Sequence, residues 1–237
     1  GNNYRRLGDS HPLIVASLYL QGEYKTGRIT LIAGLRIEDM NDFTIEANDP
    51  SATSNLVTAP LQTSIKNTST VFIPRGALLY SIDDHSVLKL LYGQATKRPS
   101  FGNYTDASTL KPSTIQTFEL NYIRELPSGI LLNGSIYHNS LDNLINRFSS
   151  VDMNGNSVYQ SDNAGKVITT GIELGFQISS QNNRLRADFS SSVNIADDKT
   201  IYSGYSQSLA GEIDPDAQLP YSPSWLGYGK ISYEIAT

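Results

Sequence analysis

"TTGIELGFQISSQNNRLRADFSSSVNI", residues 169–195, alternates apolar and polar side chains through two runs separated by a short polar reversal. In the first run Thr170, Ile172, Leu174, Phe176 and Ile178 share one side, and Gly171, Glu173, Gly175 and Gln177 take the other. In the second, Leu185, Ala187, Phe189, Val193 and Ile195 oppose Arg186, Asp188, Ser190, Ser192 and Asn194. A period of two belongs to a β-strand, whose successive side chains leave on opposite faces. Each run is roughly ten to twelve residues, about twice the common strand length of five or six. Strands of about nine to eleven residues, apolar on one face and polar on the other, fit a tilted crossing of a bilayer.

The pattern repeats along the chain. Ile29, Leu31, Ala33, Leu35 and Ile37 oppose Thr30, Ile32, Gly34, Arg36 and Glu38, and Phe118, Leu120 and Tyr122 oppose Glu119 and Asn121. Nine strands are predicted: Leu13–Tyr24, Arg28–Asp39, Val71–Ile82, Ser86–Thr96, Thr114–Glu125, Ile130–Leu141, Val167–Ser179, Arg184–Ile195 and Pro223–Ile235. The connections alternate in length. Short polar turns lie around Gly27, Asp83–Ser86, Leu126–Gly129 and Asn182, where Gly, Asp, Asn and Pro favour tight reversal. Long connections are expected at Met40–Thr70, Lys97–Ser113, Asn143–Lys166 and Ala196–Ser222. Structureless loops of that length argue against a compact soluble domain, whereas a membrane barrel has short turns at one end and long loops at the other.

Composition limits the other classes. The 237 residues carry a net charge of −5 without a Lys/Arg run, so no nucleic-acid footprint is present. With no cysteine there is neither a disulfide framework nor a thiolate metal site. No apolar run reaches the ~18 residues of a spanning helix. Nine is an odd number, and an open sheet in hydrocarbon exposes unpaired backbone groups. The chain is therefore expected to be one unit, residues 1–237, of a larger antiparallel up-and-down transmembrane barrel.

Chemistry-bearing residues are sparse. His11, His85 and His138 lie far apart, and a metal centre needs convergent ligands. Asp152, Asn154 and Asn156 imitate half a calcium loop, but the following Gly and closing Glu are missing, and Asn154-Gly155 reads as a turn. Asp214 and Asp216 read as a solvated loop. Neither a nucleophile elbow nor a phosphate-binding loop is present, so neither catalysis nor a cofactor is expected. The charges Arg36, Glu38, Glu119, Arg124, Glu173, Arg186 and Asp188 are expected on the polar inner face. Tyr24, Tyr80, Tyr92, Tyr122, Phe176, Trp225 and Tyr233 fall on apolar registers or near strand ends, as in an interfacial aromatic girdle against lipid. Arg98, Phe101 and Tyr104 lie in a long loop, where a guanidinium and two rings suit ligand capture. Pro99 also offers them a plainer role in shaping that loop.

Several motifs in order resemble those of TonB-dependent outer-membrane receptors. They are Arg98-Pro99-Ser100-Phe101, then Leu110-Lys111-Pro112, then the strand Phe118-Glu119-Leu120-Asn121-Tyr122. "LIAGLRIE" (31–38), "IPRGALLYSI" (73–82), "NAGKVITTGIELGF" (163–176) and "LPYSPSWLGYGKISYEI" (219–235) are similar to further strands of that family. Ser113 departs from it, standing where a Glu usually follows Lys-Pro. The resemblance implies part of a barrel of ~22 strands, with a plug domain and the last strands lying outside this chain. It also implies uptake of a small molecule, metal chelate or glycan (siderophore-bound iron, haem or a corrinoid among them), with TonB reached through the plug. Two other readings share the strands: a plug-free porin, and a soluble all-β binding module whose apolar faces pack on each other.

Overall fold

Period-two alternation becomes one continuous antiparallel sheet. The computed structural model describes residues 4–5, 13–47, 61–66, 70–100, 103–104, 109–127, 129–151, 157–180, 184–198 and 223–235. The short strand β1 (Tyr4–Arg5) is followed by β2 (Val15–Thr26), β3 (Ile29–Met40), β4 (Phe43–Ala47), β5 (Leu61–Ile65) and β6 (Val71–Asp83). Then come β7 (Ser86–Lys97), β8 (Ser113–Leu126), β9 (Ile130–Val151), β10 (Ser157–Ser179), β11 (Leu185–Asp198) and β12 (Trp225–Tyr233). Nine of these form a sheet in the order β12-β11-β10-β9-β8-β7-β6-β3-β2, each strand beside its predecessor as in an up-and-down barrel wall. The wall is open: β2 and β12 are its edges.

All nine predicted strands are present; seven have ends moved by at most three residues, whereas β9 runs ten residues further and β10 begins ten residues earlier. Two expected loops are different. Asn143–Lys166 is mostly strand, because β9 and β10 continue as a ribbon to the pair Val151–Ser157. Within Met40–Thr70, β4 pairs with β1 and β5 as a separate three-stranded sheet. The ribbon has no clean apolar face, and β4 and β5, although Phe43 and Ile45 alternate with Thr44 and Glu46, are only five residues long, too short for alternation to stand out. The ribbon also changes register at two bulges, between Asp162 and Gly165 and between Gly165 and Val167, which breaks the alternation. Asn154-Gly155, Asp214 and Asp216 lie outside the described residues.

Cross-strand pairing sorts the side chains into two faces. Leu18↔Ile37, Ile37↔Phe72, Leu31↔Leu78, Leu78↔Leu90, Leu90↔Leu120, Leu120↔Ile136, Ile136↔Ile172 and Ile172↔Val193 run in apolar rows across the wall. Among the described residues nothing covers these rows. Leu20 is 74% exposed, Leu174 62% and Ile231 68%. The opposite face carries Gln21, Arg36, Lys89, Glu119, Asn121, Glu173, Asp188 and Lys230. In a soluble sandwich the apolar face would be buried against a second sheet. Here it forms an exposed patch far larger than soluble proteins tolerate.

The two reversals Thr26–Ile29 and Leu126–Ile130 use glycine in the left-handed region, Gly27 at φ 53° and Gly129 at φ 73°. Gly27 has open space around it, but a Cβ on Gly129 would lie 2.4 Å from the Ser179 carbonyl oxygen. That approach lets Ser179 N donate to the Gly129 carbonyl at 2.9 Å, tying one hairpin's turn to its neighbour. Gly129→Ala therefore destabilises the wall by about 1–3 kcal/mol, and Gly27→Ala by no more than about 1–2 kcal/mol. Equilibrium urea midpoints of the two variants in lipid vesicles check the order, and equal effects would refute it.

Candidate functional site

The long-loop end of the wall is where loop and strand residues meet. Glu38, near the end of β3, is held by two arginines. Arg36 Nη2 lies 2.7 Å from Glu38 Oε2, and Arg98 Nε, just past β7, lies 3.1 Å from Glu38 Oε1. Arg98 Nη2 also donates to the Glu38 carbonyl at 3.4 Å. The Arg98 and Glu38 side chains are mostly buried, 16% and 13% exposed, so the pair is screened less by solvent than an open one. Arg98 thus anchors its loop to a strand two places away in the sheet.

Tyr104 is also committed to the loop. It is buried with Met40, Phe43, Ile65 and Leu110, and its ring meets Phe43 edge-on at 5.7 Å. Leu13 and Ile145 pack against this cluster. Loop 97–113 and the β4–β5 sheet therefore share a small apolar core above the wall. A single turn sets Tyr104 in place: its N–H donates to the Ser100 carbonyl at 3.1 Å, while Ser100 Oγ and N both donate to Asn103 Oδ1, at 2.6 and 3.0 Å. Burial pushes the Tyr104 phenol above its usual value, with the Arg98 charge pulling the other way. Phe101 lies outside the described residues.

Asn163 makes a second junction that alternation does not reveal. Its side-chain amide binds the Lys111 backbone on both sides, accepting from Lys111 N at 2.7 Å and donating to Lys111 O at 2.9 Å. It also donates to the Asn143 carbonyl at 3.0 Å, where Ser113 Oγ donates as well at 2.8 Å. Asn143 is the one described non-glycine residue at positive φ, 56°. Beside it a Cβ on Gly165 would meet the Leu144 Cβ at 2.4 Å. The Leu-Lys-Pro and Asn-x-Gly motifs thus fit each other across the bulged ribbon.

Of the seven charges expected on the polar face, six stand there. Arg124 does not. It shares the register of Phe118, Leu120 and Tyr122, paired with Ser86 and Leu132, and its guanidinium lies against the Tyr122 hydroxyl. Its place near the short-turn end suits a long cation reaching past apolar surface to water. Lys230 pairs opposite Asp188, and such charge pairs add a few tenths to about 1 kcal/mol. Sequence reading missed Arg75, on the polar face, which donates to the Tyr19 hydroxyl and Gln21 Oε1 and lies 4.8 Å from the Tyr19 ring centroid. Counting β6 from Phe72 would have placed it. Among the described residues no group of three acidic, His or Cys side chains is placed to hold a metal.

A family model described as TonB dependent receptor-like, beta-barrel matches residues 2–236. The chain belongs to that family. The wall of this receptor barrel is similar to three solved receptors at low identity. The siderophore receptor PiuA of Acinetobacter baumannii superposes with a TM-score of 0.68 at 16% identity, over 94% of this chain and 31% of that one. The ferric-catecholate import receptor Fiu of E. coli K12 gives 0.64 at 14%, over 94% and 32%. The ferric yersiniabactin uptake receptor FyuA of Yersinia pestis gives 0.64 at 14%, over 95% and 32%. The chain thus spans about a third of each. No curated protein matches it significantly.

The seven predicted girdle aromatics all stand on the receptor barrel's apolar face. Tyr24, Tyr80, Tyr122, Phe176 and Tyr233 lie within a few residues of the short-turn end, whereas Trp225 opens β12 at the other, donating from Nε1 to Ser191 Oγ at 3.0 Å. Tyr92 sits in mid-strand, its ring 4.8 Å from that of Phe118.

Removing the Tyr104 ring empties the shared loop core. Tyr104→Ala costs about 3–5 kcal/mol of local stability, read as a fall of at least about a hundredfold in amide-exchange protection at Phe43–Thr44 and Leu110. Tyr104→Phe keeps the protection. Because the buried phenol's value is raised, its contribution is complete below about pH 10 and is lost as pH rises past the folded value, a loss Tyr104→Phe abolishes. Unchanged protection in the alanine variant would show that the loops are held elsewhere.

Proposed function

We propose that this chain is part of the wall of an outer-membrane transport receptor of a Gram-negative bacterium, which takes up a scarce solute by TonB-dependent active transport. The observation that carries the reading is the uncovered apolar face backed by a polar one, in a chain of this family. In hydrocarbon every backbone N–H and C=O must be paired within the protein. A closed antiparallel wall does this and leaves its apolar side chains to the lipid. The polar face, with Arg36, Glu38, Arg75, Glu119, Glu173, Arg186 and Asp188, lines a lumen suited to hold a hydrated plug domain, through which TonB acts. The rim loops meet the solute, and the loop core around Tyr104 and the Arg98–Glu38 pair hold them ready for it. Rigid loops lose less entropy on binding.

The substrate class is a metal chelate, haem, a corrinoid or a glycan. The names of the similar receptors, which include ferric-catecholate import and ferric yersiniabactin uptake, favour the chelate. The full-length gene product, expressed in an iron-starved receptor-deficient strain, is expected to restore uptake of a ferric siderophore from a panel. Deleting TonB abolishes that uptake. Solute flux that persists without TonB would point to a plug-free porin instead.

The lipid-facing assignment has a separate test. Leu120, mid-strand on the apolar face, and Glu119, its polar-face neighbour, differ by one residue and one side of the wall. Leu120→Arg is expected to cost about 2–4 kcal/mol in urea unfolding from bilayer vesicles. Glu119→Gln, in the lumen, is expected to stay within about 0.5 kcal/mol. Similar costs for both would sink the assignment.

A further inference from the structure

One patch of the polar face is not polar. At the long-loop end Ala95, Ile115 and Leu141 pair in one row, Ala95↔Ile115↔Leu141, in the register that lower down carries Glu119 and Asn121. Beyond the bend at Asn143, Leu144 and Ile145 continue this apolar surface. Together with Lys97, at the end of β7, they line a pocket of about 310 Å³. Ala95 is exposed, and Ile115, Leu141, Leu144 and Ile145 remain partly exposed, so the pocket is accessible.

The polar groups at the pocket are mostly committed. Arg98 is taken by Glu38, and the Ser113 hydroxyl donates to the Asn143 carbonyl. Lys97 is different. It is exposed, and among the described residues no carboxylate lies within ion-pair distance of it. An apolar floor with one uncommitted ammonium at its rim has a definite complement: an anionic group on a compact apolar body. The floor gains from excluding water, and the ammonium makes a charge-assisted hydrogen bond that a neutral ligand cannot match. A volume of about 310 Å³ is at the lower end for small-molecule sites, about 300–1,000 Å³, and suits a group of one ring.

Resting on the receptor reading above, we propose that this rim pocket is a subsite for a ring-borne carboxylate or phenolate of the transported solute, with Lys97 selecting for the negative charge. The selectivity separates anionic from neutral candidates, which family membership alone does not do.

The test uses the full-length receptor in detergent and two probes of nearly equal size, 4-fluorobenzoate and neutral 4-fluorobenzyl alcohol, followed by ¹⁹F NMR. Fluorobenzoate is expected to bind about tenfold more tightly than the alcohol, the scale of one hydrogen bond to a charged group. Lys97→Gln removes that preference, and raised salt weakens it. Ile115→Trp, which fills the floor, abolishes binding of both probes. Lys89→Gln, on the same face towards the short turns, changes nothing. Equal binding of the two probes, no binding of either, or a preference that survives Lys97→Gln would overturn the subsite. TonB-dependent uptake by the wild-type receptor is measured in parallel. If uptake stands and the probe preference is absent, the subsite fails alone; if uptake fails, the receptor reading fails whatever the probes do.

Discussion

Everything in this structure depends on pairing backbone groups from strand to strand without interruption. The nine-stranded wall does so from β2 to β12, each strand beside its sequence neighbour in the sheet. That pairing holds the side-chain period at two, and the period separates the apolar rows from the polar ones. A one-residue slip anywhere would turn a row of leucines into the lumen and carboxylates toward the lipid. The two-sided environment is therefore also what enforces the register.

Above the wall the controlling interaction changes. There the chain no longer has a face to bury against lipid, and order comes from contacts between segments distant in sequence. Arg98 reaches Glu38, Tyr104 reaches Phe43 and Ile65, and Asn163 reaches Lys111. Each ties a long connection to another strand or loop. Long side chains and amides do this because they carry both reach and directional hydrogen bonds, while apolar contacts at the centre exclude water.

The motifs that identify the family now have physical roles. Arg-Pro-Ser turns a strand end into a one-turn platform for Tyr104. Leu-Lys-Pro offers a backbone edge that Asn163 reads as another strand would, with both a donor and an acceptor. Ser113 donates its hydroxyl to the Asn143 carbonyl. Alternation found the strands because that signal is local. It does not reach the ribbon beyond Leu141, where bulges at Asn163–Lys166 break the period, nor the small sheet of β4 and β5, whose alternation lasts only five residues each. Arg124 stands on the apolar face for a simpler reason: strand parity, not charge, sets its side of the wall.

The strand count in the wall, the two faces and the asymmetry of its ends can be read along the chain, because each depends on nearest-neighbour alternation and on turn residues. The family could be recognised from motif order for the same reason. Folding in three dimensions is what makes Arg98 and Tyr104 bind loops together, pairs Asn163 with Lys111, and sets Ala95, Ile115 and Leu141 in one row beside Lys97. Those are meetings of residues about 20 to 60 positions apart, and such distances are closed by sheet register and loop packing, which no local pattern in the chain records.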